Sequence, residues 1–128
     1  MDIEHEKEIK DKLIKCEDVG NVDLHFKKLR DLGDKLYQES KFNDLIEFLN
    51  ALSNKKRLII LNILKEKDRC VCELEATLDE SQPSISHHLK ILERAGLIRG
   101  WKKGKFTHYD FVKKQFELFL NLLYQELV

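Results

Sequence analysis

The sequence has 128 residues, of which 42% are hydrophobic and 36% are charged. This length is enough for one domain with a buried core, and the composition is typical of a soluble globular protein. No apolar run approaches the length of a membrane-spanning helix, and the hydrophilic residues 1–15 are unlike a signal peptide. We therefore expect a cytoplasmic protein with no membrane partner.

The formal net charge of zero conceals an uneven distribution of charge along the chain. Residues 1–50 hold 13 acidic and 9 basic side chains. Residues 81–105 hold 6 basic side chains, and Glu93 is their only acid. A positive segment in a chain that is neutral overall is typical of a surface that binds nucleic acid.

Apolar residues at helical spacing dominate the first half of the chain. They predict a short helix or frayed arm at residues 1–16, followed by a break at Gly20-Asn21. Three further helices are predicted at residues 22–39, 42–52 and Asn54–Lys65. Ser53 is the expected N-cap of the last of these helices. The segment 42–52 has a wider apolar band than one small core requires, and such a band often packs against a second subunit.

Two short helices joined by a polar turn are predicted next. The first covers Cys70–Leu78, and Asp79-Glu80 forms the turn. Ser81 is a good N-cap for the second helix, and Gly96 is a suitable residue to end it. The apolar positions of this second helix share one face and should point to the core: Ile85, Leu89 and Leu92.

The opposite face of this second helix contains almost no carboxylates. It carries amide, hydroxyl, imidazole and cationic groups, on Gln82, Ser84, Ser86, His87, Lys90 and Arg94. These groups pair with base edges and phosphates in protein–DNA complexes. We therefore predict a helix-turn-helix whose second helix is the recognition helix.

After Gly96 the spacing of apolar residues is no longer helical. Residues 97–102 and 105–110 are rich in aromatic and β-branched residues, which predicts two strands of a hairpin. Its tip is basic, with Lys102, Lys103 and Lys105 around a glycine, and such a hairpin can lie along the phosphate backbone. The last predicted helix, 111–128, again has more apolar surface than one core requires.

Four segments of the chain resemble one family. They are 51–58, 70–74, 81–92 and 96–99, in that order, and together with their connections they cover about half of the chain. They resemble the ArsR/SmtB family of winged-helix, metal-responsive repressors. The resemblance implies a mainly α fold with a small β-hairpin, the winged helix-turn-helix.

The resemblance also implies a homodimer joined by the N- and C-terminal helices. Such a dimer would repress an operator of two-fold symmetry in double-stranded DNA, and an effector would release it. The resemblance implies three regions. Residues 1–50 would form an N-terminal extension and dimerisation region, residues 51–111 the winged helix-turn-helix DNA-binding domain, and residues 112–128 a C-terminal dimerisation helix. By position, Gln82, Ser84, Ser86 and His87 would face the major groove, and the three lysines of the hairpin would form the wing.

Three cysteines are present, at Cys16, Cys70 and Cys72. In a cytoplasmic protein we expect thiols or ligands in place of disulfides. Cys70 and Cys72 are two apart at a predicted helix start, so they should point to nearly opposite sides unless the first turn is distorted. The helix N-terminus should lower their pKa. We expect that ligation distorts this turn and thereby moves the helix-turn-helix.

The resemblance implies a thiophilic effector for Cys70 and Cys72, namely As(III), Sb(III), Cd(II), Pb(II) or Zn(II). Arsenical repressors of this type often have a third cysteine where this chain has Glu75, so we predict that Cys16 supplies the third thiolate. Candidates for a fourth ligand are His5, His25 and Glu17. The family's second metal site is not expected, because Val112 stands where its histidine would be.

Other interpretations remain open. The cysteines could form a redox switch, with Cys16 as the resolving partner, or they could be inert. The effector could be an unidentified small ligand, or the winged helix could bind another protein. We do not expect an enzyme, because no phosphate-binding glycine loop and no suitably placed acid/base pair is visible. His88 is expected in the core, and His108, Trp101 and Tyr109 are expected to have structural roles.

Overall fold

A computed structural model describes residues 1–16 and 20–128 of the chain. Two compact units are present, residues 1–40 and 41–128. Among the described residues, no helix is both long enough and apolar enough to span a bilayer. The predicted division by role at residues 50 and 111 stays a prediction.

The first unit contains two helices, α1 (Ile3–Ile14) and α2 (Val22–Gln38). Both have carboxylate or amide N-caps: Asp2 accepts from the His5 amide at 2.8 Å, and Asn21 accepts from the Leu24 amide at 3.1 Å. These caps satisfy helix N–H groups that have no partner within the helix. The predicted start of a helix after Gly20-Asn21 is confirmed.

The second unit contains the remaining helices and strands, and the first of these helices begins at Ser40, the last residue of the first unit. The helices are α3 (Ser40–Leu52), α4 (Lys55–Glu66), α5 (Val71–Leu78), α6 (Gln82–Arg94) and α7 (Lys113–Leu127). The strands are β1 (Arg69–Cys70), β2 (Ile98–Lys103) and β3 (Phe106–Phe111), arranged antiparallel in the order β1-β3-β2. The predicted hairpin is confirmed, whereas β1 was not predicted because two residues are too few to show a strand period.

The core of the second unit holds the helix-turn-helix against its neighbours. The fully buried side chains come from five elements and the link after α6: Phe48, Ile60, Leu74, Ile85, Leu92, Leu97 and Ile98. Burial of one such side chain contributes about 1.5–3 kcal/mol. Because Ile85 and Leu92 are buried in this way, α6 is oriented with its polar face towards solvent. Phe48 also stacks on Phe119 at a centroid distance of 4.8 Å, which attaches α7 to α3.

Side-chain caps set the limits of α4 and α6. The prediction of Ser53 as the N-cap of α4 is wrong: Asn54 takes this position and accepts from the Arg57 amide at 3.1 Å. The predicted N-cap of α6 is confirmed, because Ser81 Oγ accepts from the Ser84 amide at 3.3 Å. Gly96 follows α6 with a φ of +77°, a conformation that glycine adopts at little cost.

Candidate nucleic-acid interface and thiol pair

The polar face of α6 is accessible along its length. Gln82, His87, Lys90 and Arg94 are exposed, and Ser84 and Ser86 are half-buried. Within the described part of the chain, neither Lys90 nor Arg94 forms an ion pair. Both cations are therefore available to an external anion such as a phosphate.

The turn before α6 is held by Glu80. Its carboxylate forms an ion pair with Lys56 on α4, and this partner, followed by the Ser84 hydroxyl, lowers the pKa of Glu80. Glu80 therefore stays ionised and connects the turn to α4. Ser84, which was predicted only as a DNA contact, also contributes to this turn.

The wing carries the predicted cations in two different settings. Lys103 Nζ lies 3.7 Å from Asp68 Oδ2 and 5.8 Å from the centre of the Trp101 ring. Lys102 and Lys105 are exposed, and neither has a carboxylate within ion-pair distance among the residues that the structure describes. The wing therefore offers Lys102 and Lys105 to an external anion, whereas the ammonium group of Lys103 lies beside Asp68.

Asp68 attaches the wing to the turn after α4. His108 on β3 donates its Nδ1–H to Asp68 Oδ2 at 2.7 Å, and this bond is the main reason why the pKa of Asp68 is lowered. The Trp101 ring packs beside the imidazole with a centroid distance of 5.6 Å. These contacts give His108 and Trp101 the structural roles that the sequence predicted.

Arg57 is a buried cation that the sequence analysis did not single out. Its side chain donates to the carbonyls of Ala51 at 2.8 Å and Asn50 at 2.9 Å, both near the end of α3. Its Nη1 lies 3.3 Å from Nδ1 of the buried His88 on α6. Arg57 thus joins α3 to the recognition helix. Its spacing from the buried Ile60 was a signal that could have placed it on the core face of α4.

The two thiols of the Cys-Val-Cys segment lie side by side. Their sulfur atoms are 2.8 Å apart, with Cys70 buried and Cys72 exposed. The prediction that they point to opposite sides is wrong, because Cys70 is not in the helix. It is the N-cap of α5, with an extended backbone (φ −83°, ψ 167°), and it pairs with His108 in the sheet. Two sulfurs therefore converge without distortion of a helical turn.

The electrostatic setting of Cys70 also differs from the prediction. The hydrogen bond with Cys72, followed by burial, raises the pKa of the Cys70 thiol. The Cys70 amide donates to Glu73 Oε1 at 3.1 Å, and Arg69 Nη1 lies 2.9 Å from the other carboxylate oxygen. These two donors lower the pKa of Glu73 to about 2, so the Glu73 carboxylate occupies the helix N-terminus at neutral pH.

The two thiols could bind one thiophilic ion through both sulfur atoms, as a two-point chelate. Soft ions prefer sulfur ligands, and the convergent sulfurs provide two of them. No group of three histidine, cysteine or acidic residues with metal-site geometry exists in the described ranges 1–16 and 20–128. Within the first unit, Cys16 is exposed and its thiol donates to the Lys12 carbonyl at 3.6 Å. Glu17, named above as a fourth ligand, lies outside the described residues.

The helix-turn-helix of α5 and α6, with the basic β2–β3 hairpin after it, defines a winged helix-turn-helix DNA-binding protein. Residues 54–99 match the family described as bacterial regulatory protein, arsR family. An uncharacterised HTH-type transcriptional regulator of Methanocaldococcus jannaschii is 34% identical over 84 residues, which are 65% of this chain and 94% of that protein. The chain belongs to the ArsR family of transcriptional regulators.

Two further similarities concern a named repressor and a solved structure. The arsenical resistance operon repressor of Escherichia coli is 43% identical over 65 residues, which are 50% of this chain and 56% of the repressor. The chain thus spans little more than half of that relative. An ArsR-like transcriptional regulator from Rhodococcus sp. RHA1 superposes with a TM-score of 0.64 at 25% identity, over 68% of this chain and 82% of that one. The predicted fold class is confirmed.

Proposed function

We propose that this protein is a homodimeric repressor that binds an operator of two-fold symmetry in the cytoplasm. A thiophilic ion at Cys70 and Cys72 releases it. The observation that carries the DNA-binding part is that Gln82, at the start of the exposed polar face of α6, and the wing lysines Lys102 and Lys105 line one pocket within one compact unit. An α-helix of this kind fits the major groove, and the wing lies beside it.

The individual roles follow from the chemistry of the side chains. Gln82, Ser84, Ser86 and His87 read base edges in the major groove, because amides, hydroxyls and imidazoles form the directional hydrogen bonds that distinguish bases. The cations contact phosphates and fix the position of the protein: Lys90, Arg94, Lys102, Lys103 and Lys105. Lys103 would exchange its contact with Asp68 for a phosphate.

Exposed apolar residues support the dimer. On α7, Leu120, Tyr124 and Leu127 are 42%, 66% and 74% exposed, and their spacing places them on one side of the helix. On α3, Ile46 and Leu49 are 63% and 42% exposed. A second copy that covers these faces would remove a large apolar surface from water.

The thiol pair supports the effector site, and the name of the similar E. coli repressor supports an arsenical or another soft ion as the effector. A bound ion would replace the thiol protons and hold the two sulfurs at fixed positions. Cys70 belongs to β1, which pairs with the wing strand β3, and Cys72 lies in the first turn of α5. Fixing the two sulfurs therefore acts on the junction between wing and helix-turn-helix. That Cys16 adds a third thiolate stays a prediction.

The test begins with a duplex selected by the protein from a random pool. In gel-shift titrations, the double variant Ser86→Ala/His87→Ala should lose the preference for this duplex, whereas Lys65→Gln, an exposed cation on α4, should retain it. Arsenite, cadmium or zinc should release the wild type but not Cys70→Ser, and diamide serves as the redox comparison. Release by diamide alone would favour the redox switch. A protein that selects no sequence would contradict the repressor proposal.

A further inference from the structure

A pocket of about 260 Å³ lies directly beside the thiol pair. It is bordered by α5, by the start of α6 and by the wing, and the side chains that matter here are Cys70, Cys72, Glu75, Gln82, Lys102 and Lys105. A water molecule occupies about 30 Å³ in the liquid, so the space far exceeds what a bare ion needs. The pocket has room for a small organic molecule next to the sulfurs.

Two sulfurs are the donor set that the described residues bring together at this place. The pair supplies two sulfurs, and no third cysteine, histidine or carboxylate joins them in metal-site geometry within the described residues. Zinc takes four ligands, and soft ions in general prefer further sulfur ligands. The remaining ligand positions can therefore be filled from the pocket.

The charges around the pocket favour one kind of molecule as its occupant. Lys102 and Lys105 both line it without a carboxylate partner in the described part of the chain, and the Gln82 amide adds a neutral donor. Glu75 is the one acidic side chain among the lining residues. Two cations against one anion favour a negatively charged occupant, because ammonium groups form strong hydrogen bonds to carboxylates.

We propose that this pocket binds a small anionic thiol, whose sulfur completes the ligand set begun by Cys70 and Cys72 and whose carboxylates are bound by Lys102 and Lys105. This proposal rests on the proposed effector site. Each thiol loses its proton to solvent on ligation, and nothing is oxidised or reduced. Because the same lysines are proposed to contact phosphates, the occupant competes with DNA for them, and its charge contributes to release from the operator.

The experiment uses the full chain with Cd(II) and three small thiols of different charge: 3-mercaptopropionate, 2-mercaptoethanol and cysteamine. Native mass spectrometry detects a ternary complex of protein, ion and thiol, and the sulfur-to-metal absorbance gives the apparent affinity. We expect the ternary complex with the anionic thiol and an apparent affinity about tenfold higher than with the neutral thiol. In Lys102→Gln/Lys105→Gln this preference should disappear, whereas Lys65→Gln should keep it. Each thiol also binds cadmium in solution, so variants are compared in identical mixtures.

Two results would overturn the proposal while leaving the effector site intact. One is a binary complex that binds no thiol and is weakened by Cys16→Ser, which would assign the third sulfur to the chain. The other is equal enhancement by all three thiols in wild type and in the lysine variant. A Cys70→Ser/Cys72→Ser variant that binds cadmium as well as wild type would instead remove the effector site itself. The substituted lysines are exposed, so the variants should remain folded, which thermal melting checks.

Discussion

Nη1 of Arg57 lies 3.3 Å from Nδ1 of His88, and this contact joins α4 to the buried side of the recognition helix. Because an arginine can only donate, Nδ1 must accept, and the imidazole proton resides on Nε2. The same guanidinium is anchored on the Asn50 and Ala51 carbonyls. One side chain therefore contacts both the end of α3 and the recognition helix α6.

Replacing Arg57 with methionine should destabilise the fold. The side chain is 7% exposed, and methionine of similar length would leave the Ala51 carbonyl and the His88 nitrogen without the arginine donor. It would also remove one donor from the Asn50 carbonyl, which keeps the Ser53 amide. We expect a loss of about 2–4 kcal/mol in the free energy of unfolding, measured by urea denaturation. Lys55→Met, at an exposed position of the same helix, is the control and should change stability by less than about 0.5 kcal/mol. Equal stability of Arg57→Met and wild type would refute the role given to this residue.

The helix-turn-helix was predictable because its signals are local. The cap Ser81, the apolar spacing of Ile85 and Leu89, and Gly96 all lie within one short stretch, so periodicity and capping chemistry were sufficient. The same helical spacing also predicted which side chains lie on the polar face of α6.

Contacts between distant residues were not predictable in this way. Arg57 and His88 are 31 positions apart, and Asp68 and His108 are 40 apart, so only the packing of the helices and the sheet brings them together. At the thiols, an error of one residue in the helix start was decisive. With Cys70 outside α5, its sulfur lies beside that of Cys72, and this contact, followed by burial, raises the thiol pKa that was predicted to be lowered.

Stability should fall when the solution is acidified below the ordinary pKa of histidine. Burial, followed by the charge of Arg57, lowers the pKa of His88 from its ordinary value of 6.5. The unfolded chain then binds more protons than the folded chain between the lowered pKa and 6.5, so the contribution of His88 is complete above 6.5 and is lost as pH falls. Urea midpoints of wild type and His88→Gln, compared over this window, measure the effect. A wild-type pH slope identical to that of His88→Gln would contradict it.

A second acid transition should come from Glu73. The Cys70 amide and Arg69 lower its pKa from 4.5 to about 2, so its contribution to stability is present above 4.5 and is lost as pH falls towards 2. Thermal melting in this range should show a steeper loss in wild type than in Glu73→Gln, which keeps an acceptor oxygen but does not titrate. Glu117→Gln, on an exposed carboxylate of α7, is the control and should behave as wild type. Parallel curves for wild type and Glu73→Gln would show that the ionisation of Glu73 does not contribute to stability.

DNA binding should separate the roles of the recognition helix and the wing. Gln82→Ala should weaken binding to the selected duplex by about 1–3 kcal/mol and reduce discrimination against altered bases, because a base-edge hydrogen bond is lost. Lys105→Gln should weaken binding to all duplexes alike and reduce the slope of log K against log salt by about 1, as expected for one lost phosphate contact. Anisotropy titrations over a range of salt concentrations measure both. Loss of discrimination in Lys105→Gln with an unchanged salt slope would reverse the assigned roles.

The apolar side of α7 should determine the oligomeric state. Leu120 and Tyr124 are 42% and 66% exposed in the single chain, so their replacement by serine should leave the fold intact and weaken the proposed dimer. Covering one large apolar side chain contributes about 1.5–3 kcal/mol, so we expect the dimer dissociation constant to rise at least about tenfold for each substitution. Sedimentation equilibrium measures the constant, and Gln125→Ser, at an exposed polar position on another side of α7, is the control. A variant that stays dimeric at the concentration where wild type begins to dissociate would place the subunit interface elsewhere. A loss of helical circular dichroism in the same variant would show that these side chains support the fold of the single chain instead.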